Sequence, residues 1–193
     1  MLAAGASQRF GSDKLLHPVK LRGAALPLAA LSLLPWVETF GKISVVTRPG
    51  ARVFRSAIEA ALGAARSTRI DWVECADAAQ GMAASLVCGV RANRDADGWL
   101  IGLADMPAVP VEAITRVRKA LLAGAAIAVP AHGGKRGHPV GFARQYRIEL
   151  LALEGDNGAR RLLQRDRSQV VEIDIDDAGI LADVDVPRDL RHL

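Results

Sequence analysis

The chain has 193 residues, 50% hydrophobic and 24% charged, which is enough for one core of moderate size and favours a single domain over residues 1–193. No apolar stretch approaches the roughly 20 residues that a bilayer span needs, so no membrane association is expected. The net charge of +4 is scattered and aromatic residues make up only 4%, which argues against nucleic-acid binding and favours a small anionic ligand.

The sequence also indicates a compartment. Its first residues carry no charged leader followed by an apolar segment, and Cys75 and Cys88 are its only cysteines. Two cysteines cannot form a four-thiolate zinc site, and the histidines lie too far from them in the sequence for a compact finger. We therefore expect a cytoplasmic protein with reduced thiols and no structural zinc.

Short apolar runs alternate with helical patterns, which is typical of βαβ units and predicts an α/β fold. The runs are apolar on both faces, as buried parallel strands are, and cover residues 2–4, 43–47, 71–75, 99–103, 127–130, 139–142 and 170–173. Three-to-four spacing of apolar residues predicts helices over 26–34, 51–62, 85–93, 111–122, 145–153 and 158–165. The segment 132–137 is the only hairpin-like turn, so one antiparallel excursion is expected in a mostly parallel sheet.

The first predicted strand runs directly into the loop 5–14, with the sequence GASQRFGSDK. A glycine and small residues after a strand let backbone N–H groups turn toward an anion, while Arg9 and Lys14 add positive charge. The glycine spacing is that of neither the P-loop nor the dinucleotide-binding loop. The loop therefore indicates either a phosphate site or an ordinary turn whose basic side chains are solvated.

A second candidate position follows the predicted strand 99–103, where Asp105 precedes Met106 and Pro107. Ligands of open α/β sheets bind outside the carboxyl ends of strands, so Asp105 is expected at the same crevice as the loop 5–14. A carboxylate opposite a phosphate is a common way to hold Mg²⁺. The structural alternative is that Asp105 caps the turn before Pro107.

Further motifs extend the pattern over the whole chain. They are LAAG at 2–5 with the downstream Lys14, QGMAASL at 80–86, LADMP at 103–107, GHPVGF at 137–142, GDNGAR at 155–160 and DVDVPRDL at 183–190. With these motifs the chain resembles the MobA-like nucleotidyltransferases, and among them the molybdenum cofactor cytidylyltransferases. Guanylyltransferase relatives typically carry LAGG and a methionine before the second loop glycine, where this chain has Ala4 and Phe10.

The resemblance implies a three-layer α/β/α fold of the GT-A type and transfer of a cytidylyl group from CTP to a molybdopterin-type acceptor. A phosphate oxygen of the acceptor would attack the α-phosphorus and pyrophosphate would leave, a reaction that positioning and electrostatic stabilisation can catalyse. The resemblance assigns the triphosphate to the backbone at Ala3, Ala4, Gly5 and Ala6, and the phosphates at the reaction centre to Arg9 and Lys14.

The metal site that the resemblance implies holds Mg²⁺ between Asp105 and a C-terminal carboxylate. Asp183 and Asp185 lie two residues apart on an extended segment, so both side chains point the same way. Resemblance to relatives with D-x-D-T-P or N-x-N-T-P favours Asp185, although this chain has Val186 in place of the threonine. The structural alternative is that Asp185 caps the short helix that begins at Pro187.

The resemblance also implies which residues contact the base of the nucleotide and which contact the acceptor. Gln80, Gly81 and Ser85 are expected to contact the base, although a serine early in a helix is also an ordinary cap. His138, Asp156 and Arg160 are expected around the acceptor, with His138 as a phosphate contact or a structural corner and Arg160 as an anion contact near a helix start.

Other functions stay open at this stage. The donor could be GTP, and the acceptor could be a sugar or polyol phosphate, because acceptor contacts come from variable loops. A non-catalytic module that binds a nucleotide or hands a cofactor to a molybdoenzyme or its chaperone is a further alternative. Metal-dependent release of pyrophosphate distinguishes the enzyme from such a module.

Overall fold

The computed structural model describes residues 1–5, 10, 13–21, 23–156 and 158–192. The chain first forms an antiparallel hairpin of β1 (Pro18–Leu21) and β2 (Ala24–Pro27), and then helix α1 (Leu28–Thr39). A parallel pair follows, β3 (Ile43–Thr47) and β4 (Ile70–Glu74), with α2 (Arg52–Leu62) and α3 (Ala64–Ser67) between its strands.

The second half of the chain carries the larger part of the sheet. Its helices are α4 (Met82–Ala92), α5 (Val111–Leu122), α6 (Arg147–Leu151) and α7 (Arg160–Arg165). Its strands are β5 (Gly98–Ile101), β6 (Ile127–His132), β7 (Lys135–Arg136), β8 (Val140–Ala143) and β9 (Val170–Asp174). Strand β8 lies antiparallel between β5 and β6, whereas β9 pairs parallel with the other edge of β6. The fold is therefore α/β with a mixed sheet.

Leu2 joins the two parts of the sheet. It forms parallel bridges to Val46 of β3 and to Leu103 just beyond β5. The Leu2 N–H donates to the Gly102 carbonyl at 2.9 Å, and the Ala3 N–H donates to the Val46 carbonyl at 2.9 Å. The predicted first strand over 2–4 is thus present as a bridge rather than as a full strand, and it leads into the loop 5–14.

Both faces of the sheet are buried, as the apolar strands predicted. One hydrophobic cluster contains residues of α1, α2 and α5, and a second contains residues of α4, α6 and α7. Along β6, Ile127 and Val129 belong to the second cluster, whereas Ala128 between them belongs to the first. This alternation places helices against each face of the sheet.

The expectation of only one hairpin is wrong. The segment 132–137 does turn β6 into β7, but the β1–β2 hairpin was missed. Because Leu26 and Pro27 pair with Val19 and Pro18, the first helix begins two residues later than expected. It then continues beyond residue 34 through Pro35, since Trp36 and Val37 are buried in the core.

The other helix boundaries also shift. Helix α4 begins three residues before Ser85, so Ser85 lies beyond the capping positions and its alternative role as a cap is wrong. The predicted helix 145–153 is a 3₁₀ turn followed by the short α6, and the predicted helix 158–165 begins only at Arg160. Gly158 has a φ of +49°, a left-handed conformation that excludes it from a right-handed helix. Within the described ranges, no helix has the length and apolar character required to cross a membrane.

Gly102 provides a test of this packing. A Cβ at position 102 would overlap the indole of Trp36, which is 5% exposed and stacks on Phe40 at a centroid distance of 6.0 Å. We expect Gly102→Ala to lower the free energy of unfolding by about 1–3 kcal/mol, measured by urea denaturation.

Gly41→Ala is the matched control, because no atom lies within 4 Å of an added Cβ there. It should change stability by no more than about 0.5 kcal/mol. Equal stabilities for the two variants would contradict the close approach of Gly102 to Trp36.

Candidate functional site

A cavity of about 500 Å³ opens where the bridge at Leu2 and strand β5 end. Its lining combines the start of the loop 5–14, the 3₁₀ turn Lys14–Leu16, the beginning of α4 and the acids that follow β5 and β9 in the chain. The lining residues are Leu2, Ala3, Ala4, Gly5, Lys14, Leu15, Ala78, Ala79, Gly81, Met82, Ser85, Leu103, Asp105, Asp156 and Asp185. The expected crevice at the carboxyl ends of the strands is therefore present.

Lys14 is buried in this cavity and is only 8% exposed. Its Nζ lies 2.8 Å from Asp105 Oδ2, 2.8 Å from the Val184 carbonyl oxygen and 3.2 Å from Asp185 Oδ1. Burial acts to lower the pKa of Lys14, but the hydrogen bonds and charges of Asp105 and Asp185 outweigh it and raise the pKa. Lys14 is thus held as an ammonium ion, and the alternative of a solvated surface lysine is wrong.

The C-terminal segment is fastened to this lysine by backbone contacts. The Val184 N–H donates to the Asp105 carbonyl at 3.0 Å, while the Val184 carbonyl accepts from Lys14. Asp189 Oδ2 accepts the N–H groups of Asp185 and Val186, each at 2.8 Å. Asp189, inside the 3₁₀ turn Pro187–His192, therefore holds the backbone of the two residues that lead into this turn.

Asp105 and Asp185 are the two cavity-lining carboxylates that contact Lys14, and Asp156 lines the cavity as a third carboxylate. Asp183 does not line it, and burial together with the charges of Asp105 and Asp185 raises the Asp183 pKa. The Asp105 side chain accepts from Lys14 but from no backbone N–H among the described residues, so its alternative role as a turn cap is wrong.

These residues fit a hard divalent cation. Asp105 Oδ1 is a buried carboxylate oxygen with no hydrogen-bond partner in the described part of the chain, which leaves it as an available oxygen ligand. In that same part of the chain, no three His, Cys, Asp or Glu side chains gather as a potential metal site. A cation here would therefore take two carboxylates from the protein and its other oxygens from ligand and water.

The backbone at the start of the loop is partly available to an anion. The Ala3 N–H is already used by Val46, so its expected contact with a triphosphate is not available. No backbone carbonyl of the described residues accepts from the N–H of Ala4 or Gly5. Arg9 and Ala6 lie outside the described residues.

The base-binding residues divide into two groups. Ser85 is 5% exposed and lines the cavity, as does Gly81. Gly81 has a φ of +117°, and a Cβ there would collide with the Asp156 carboxylate and the Gly155 carbonyl. The Gln80 side chain instead donates to Asp77 Oδ1 at 3.0 Å and is exposed outside the cavity lining. Gln80 is therefore not brought to the cavity with Gly81 and Ser85.

A second cavity of about 700 Å³ adjoins the first and shares Leu2, Met82, Leu103 and Asp156 with it. His138 and Arg160 line the second cavity. The three residues expected around an acceptor are thus brought together, and Asp156 lies on the boundary between the cavities.

His138 has a different character from the one expected for a phosphate contact. Burial lowers the pKa of its imidazole, although the Ile101 carbonyl and the charges of Asp105 and Asp183 oppose this effect. Nδ1 of the ring is buried with no partner among the described residues. Because burial disfavours the charged imidazolium, His138 offers a phosphate less positive charge than a solvated histidine would.

Sequence comparison identifies the class of protein to which this fold and site belong. The family model described as the MobA-like NTP transferase domain matches residues 1–170, and the chain therefore belongs to this nucleotidyltransferase family. Among curated proteins, the purine catabolism protein PucB of Bacillus subtilis (strain 168) is 28% identical over 207 residues, which covers 97% of this chain and 91% of that protein.

Two solved structures are similar over nearly the whole chain. Rv0371c from Mycobacterium tuberculosis H37Rv is 28% identical with a TM-score of 0.78, and the match covers 99% of this chain and 94% of that chain. A second structure of Rv0371c, described as a complex with manganese, is 27% identical with a TM-score of 0.72 and covers 100% and 94% of the two chains.

Because Lys14 is buried and hydrogen-bonded, its removal is expected to lower the free energy of unfolding. Lys14→Ala leaves the Asp105 carboxylate and the Val184 carbonyl without their donor, at a cost on the order of 1–3 kcal/mol in the free energy of unfolding. Because the pKa of Lys14 is raised on folding, its stabilisation is complete below a pH of about 10.4 and is lost as the pH rises through the higher folded-state value.

Urea denaturation at neutral and strongly alkaline pH measures this effect. Wild type should be more stable than Lys14→Ala at neutral pH, and the difference should narrow at alkaline pH. Lys119→Ala, at an exposed position of α5, is the control that should leave stability nearly unchanged. Superimposable curves for wild type and Lys14→Ala would show that the three contacts of Lys14 contribute nothing to stability.

Proposed function

We propose that the protein transfers a cytidylyl group from CTP to a phosphorylated acceptor of the molybdopterin type, with Mg²⁺ as its cation. The observation that carries the proposal is the pair of adjoining cavities, one with Lys14 bound to Asp105 and Asp185 and the other with Arg160 and His138. Such an arrangement would allow two ligands to lie side by side. A phosphate oxygen of the acceptor would form a bond to the α-phosphorus while the bond to the departing pyrophosphate breaks.

The first cavity supports binding of a triphosphate. The N–H groups of Ala4 and Gly5 have no backbone acceptor among the described residues, and both residues line the cavity with Lys14. Backbone donors and an ammonium ion stabilise negative charge on phosphoryl oxygens, which is the main requirement of this reaction. Arg9 stays a predicted contact of the leaving pyrophosphate.

Asp105 and Asp185 are the residues that would hold Mg²⁺. Asp105 Oδ1 has no other partner in the described chain, and the relative Rv0371c has been solved in a complex with manganese, a cation of similar ligand preference. When bound, such a cation neutralises charge on the phosphates. The Asp189 carboxylate accepts from the N–H group of Asp185 and so helps to fix the position of this second carboxylate.

Ser85 and the backbone at Gly81 are the residues that we assign to cytosine. Ser85 and Gly81 line the side of the first cavity that is formed by the beginning of α4. Met82 and Asp156 separate this side from the second cavity. The C=O groups of this turn can accept from the amine of a pyrimidine and the Ser85 hydroxyl can donate to its carbonyl, whereas the Gly81 N–H already donates to the Ala78 carbonyl at 3.4 Å. A site of this kind rejects a base that leaves its buried polar groups unpaired.

Arg160 is the residue that we assign to the anionic part of the acceptor. The His138 imidazole, whose pKa is lowered by burial and whose buried Nδ1 has no partner among the described residues, suits a neutral polar group of the acceptor better than a phosphate. Asp156 can accept from either ligand. The product would then pass to a molybdoenzyme or its chaperone.

The fold that we infer for this reaction is one domain over 1–193, with the three-layer GT-A arrangement. Hydrophobic clusters on the two faces of the sheet support the three layers. A donor other than CTP, a sugar or polyol phosphate acceptor, and a non-catalytic nucleotide-binding module are the competing functions. The paired carboxylates and the charged Lys14 favour an enzyme over a module that only binds.

Nucleotide choice tests the proposal most directly. In the presence of Mg²⁺, saturating CTP should raise the melting temperature by ligand linkage, whereas GTP at the same concentration should raise it little. Differential scanning fluorimetry with both nucleotides measures this difference. Equal stabilisation by GTP would overturn the cytidylyl assignment and leave only the family.

Asp105 tests the role of the cation. An amide in place of the carboxylate carries no charge to hold a hard cation, so Asp105→Asn should remove the dependence of CTP binding on Mg²⁺. Isothermal titration of CTP into both proteins over a range of Mg²⁺ concentrations measures this dependence. An identical Mg²⁺ dependence in both proteins would exclude Asp105 as a ligand.

A further inference from the structure

The Lys14 ammonium uses all of its hydrogen-bonding capacity inside the protein. An ammonium ion has three N–H donors, and Nζ has three acceptors, at 2.8, 2.8 and 3.2 Å. Two of these acceptors are the carboxylates of Asp105 and Asp185, and the third is the Val184 carbonyl. In this conformation no donor of Lys14 is left for a phosphate oxygen.

The same contacts place a positive charge where a divalent cation would bind. Lys14 lies within 3.2 Å of an oxygen of each carboxylate, and its side chain is 10% exposed, so water screens its charge only weakly. When a free divalent cation approaches Asp105 and Asp185, the charge of these two carboxylates is already partly neutralised by Lys14. The free cation is also repelled by the ammonium at short range.

We propose that Lys14 is a resident counter-ion of the Asp105 and Asp185 carboxylates, which makes the site selective for a divalent cation bound to a triphosphate over the free cation. The triphosphate supplies new acceptors for the ammonium, so Lys14 leaves at least one carboxylate as the cation arrives. The carboxylate oxygen that Lys14 releases would then be available as a cation ligand. This inference rests on the proposed function for the identity of the ligand.

The two contacts of Lys14 with carboxylates differ, and the difference indicates which of them opens. Asp185 has the longer contact with Lys14, 3.2 Å against 2.8 Å for Asp105, and its side chain is 40% exposed against 21% for Asp105. Its backbone is held independently by the 2.8 Å bond from its N–H to Asp189. The Lys14 side chain can therefore leave Asp185 without releasing the C-terminal segment, and Asp185 is the contact that we expect to open.

Binding of Mn²⁺ alone tests the inference without any turnover. Free Mn²⁺ is measured by electron paramagnetic resonance in titrations of wild type, Lys14→Met and Lys119→Met. We expect Lys14→Met to bind Mn²⁺ at least tenfold more tightly than wild type, because the repelling charge is gone. Lys119→Met is the control for loss of one lysine charge far from the carboxylates and should match wild type. Equal or weaker Mn²⁺ binding by folded Lys14→Met would overturn the inference.

The coupling between cation and nucleotide is the second readout. Titration of Mn²⁺ in the presence of cytidine α,β-methylene triphosphate, which cannot transfer its nucleotidyl group, should show a smaller gain in Mn²⁺ affinity for Lys14→Met than for wild type. Coupling between two ligands is reciprocal, so the gain in nucleotide affinity caused by Mn²⁺ should shrink by the same factor. An undiminished coupling in the variant would contradict the exchange of Lys14 between carboxylate and phosphate.

A crystal structure of wild type with the same analogue and Mg²⁺ decides the matter even if Lys14→Met fails to fold. We expect Nζ to contact phosphate oxygens and to lie beyond hydrogen-bond distance of Asp185. If Nζ keeps all three internal contacts in that complex, the inference is wrong while the proposed function stands. If wild type binds no nucleotide with or without the cation, the proposed function fails, and the binding of Mn²⁺ alone still decides the role of Lys14.

Discussion

The site depends on the buried ammonium group of Lys14, which connects three parts of the chain that are distant in sequence. Lys14 follows the N-terminal loop, Asp105 follows β5, and Val184 and Asp185 belong to the C-terminal segment, 170 and 171 residues away from Lys14. Each carboxylate would repel the other without the ammonium between them, and the ammonium would be costly to bury without the carboxylates. The C-terminal segment is therefore part of the site because Lys14 and the Asp105 carbonyl both bind the backbone at Val184.

The sheet determines where this cluster lies. Leu2 bridges β3 and β5 side by side, so the loop after Leu2 and the acid after β5 emerge at the same edge. The segment before α4 closes the other side of the cavity, and Gly81 allows this because a side chain there would collide with Gly155 and Asp156. Two cavities are thus created by the ends of strands and one close approach between loops, at the usual location of ligands in α/β sheets.

Several features were accessible from local patterns, and others were not. The positions of β3, β4, β5, β6 and β9 followed from short apolar runs, and Asp105 followed from its place at the end of one of them. The β1–β2 hairpin was missed because its strands are short and contain prolines at both outer ends. The role of Asp189 was missed because its partners are backbone N–H groups of Asp185 and Val186, and a side chain that binds backbone has no signal of its own beyond a carboxylate after a proline.

The sequence by itself determined the chemical groups, namely a lysine after a small-residue loop, a carboxylate at a strand end and a pair of C-terminal acids. Only the tertiary structure decided their state. Lys14 is buried and fully hydrogen-bonded, Asp185 and not Asp183 lines the cavity, and burial lowers the pKa of His138. Protonation and hydrogen bonding depend on burial and on the charges within a few ångströms, and those neighbours come from segments that no local sequence pattern relates to one another.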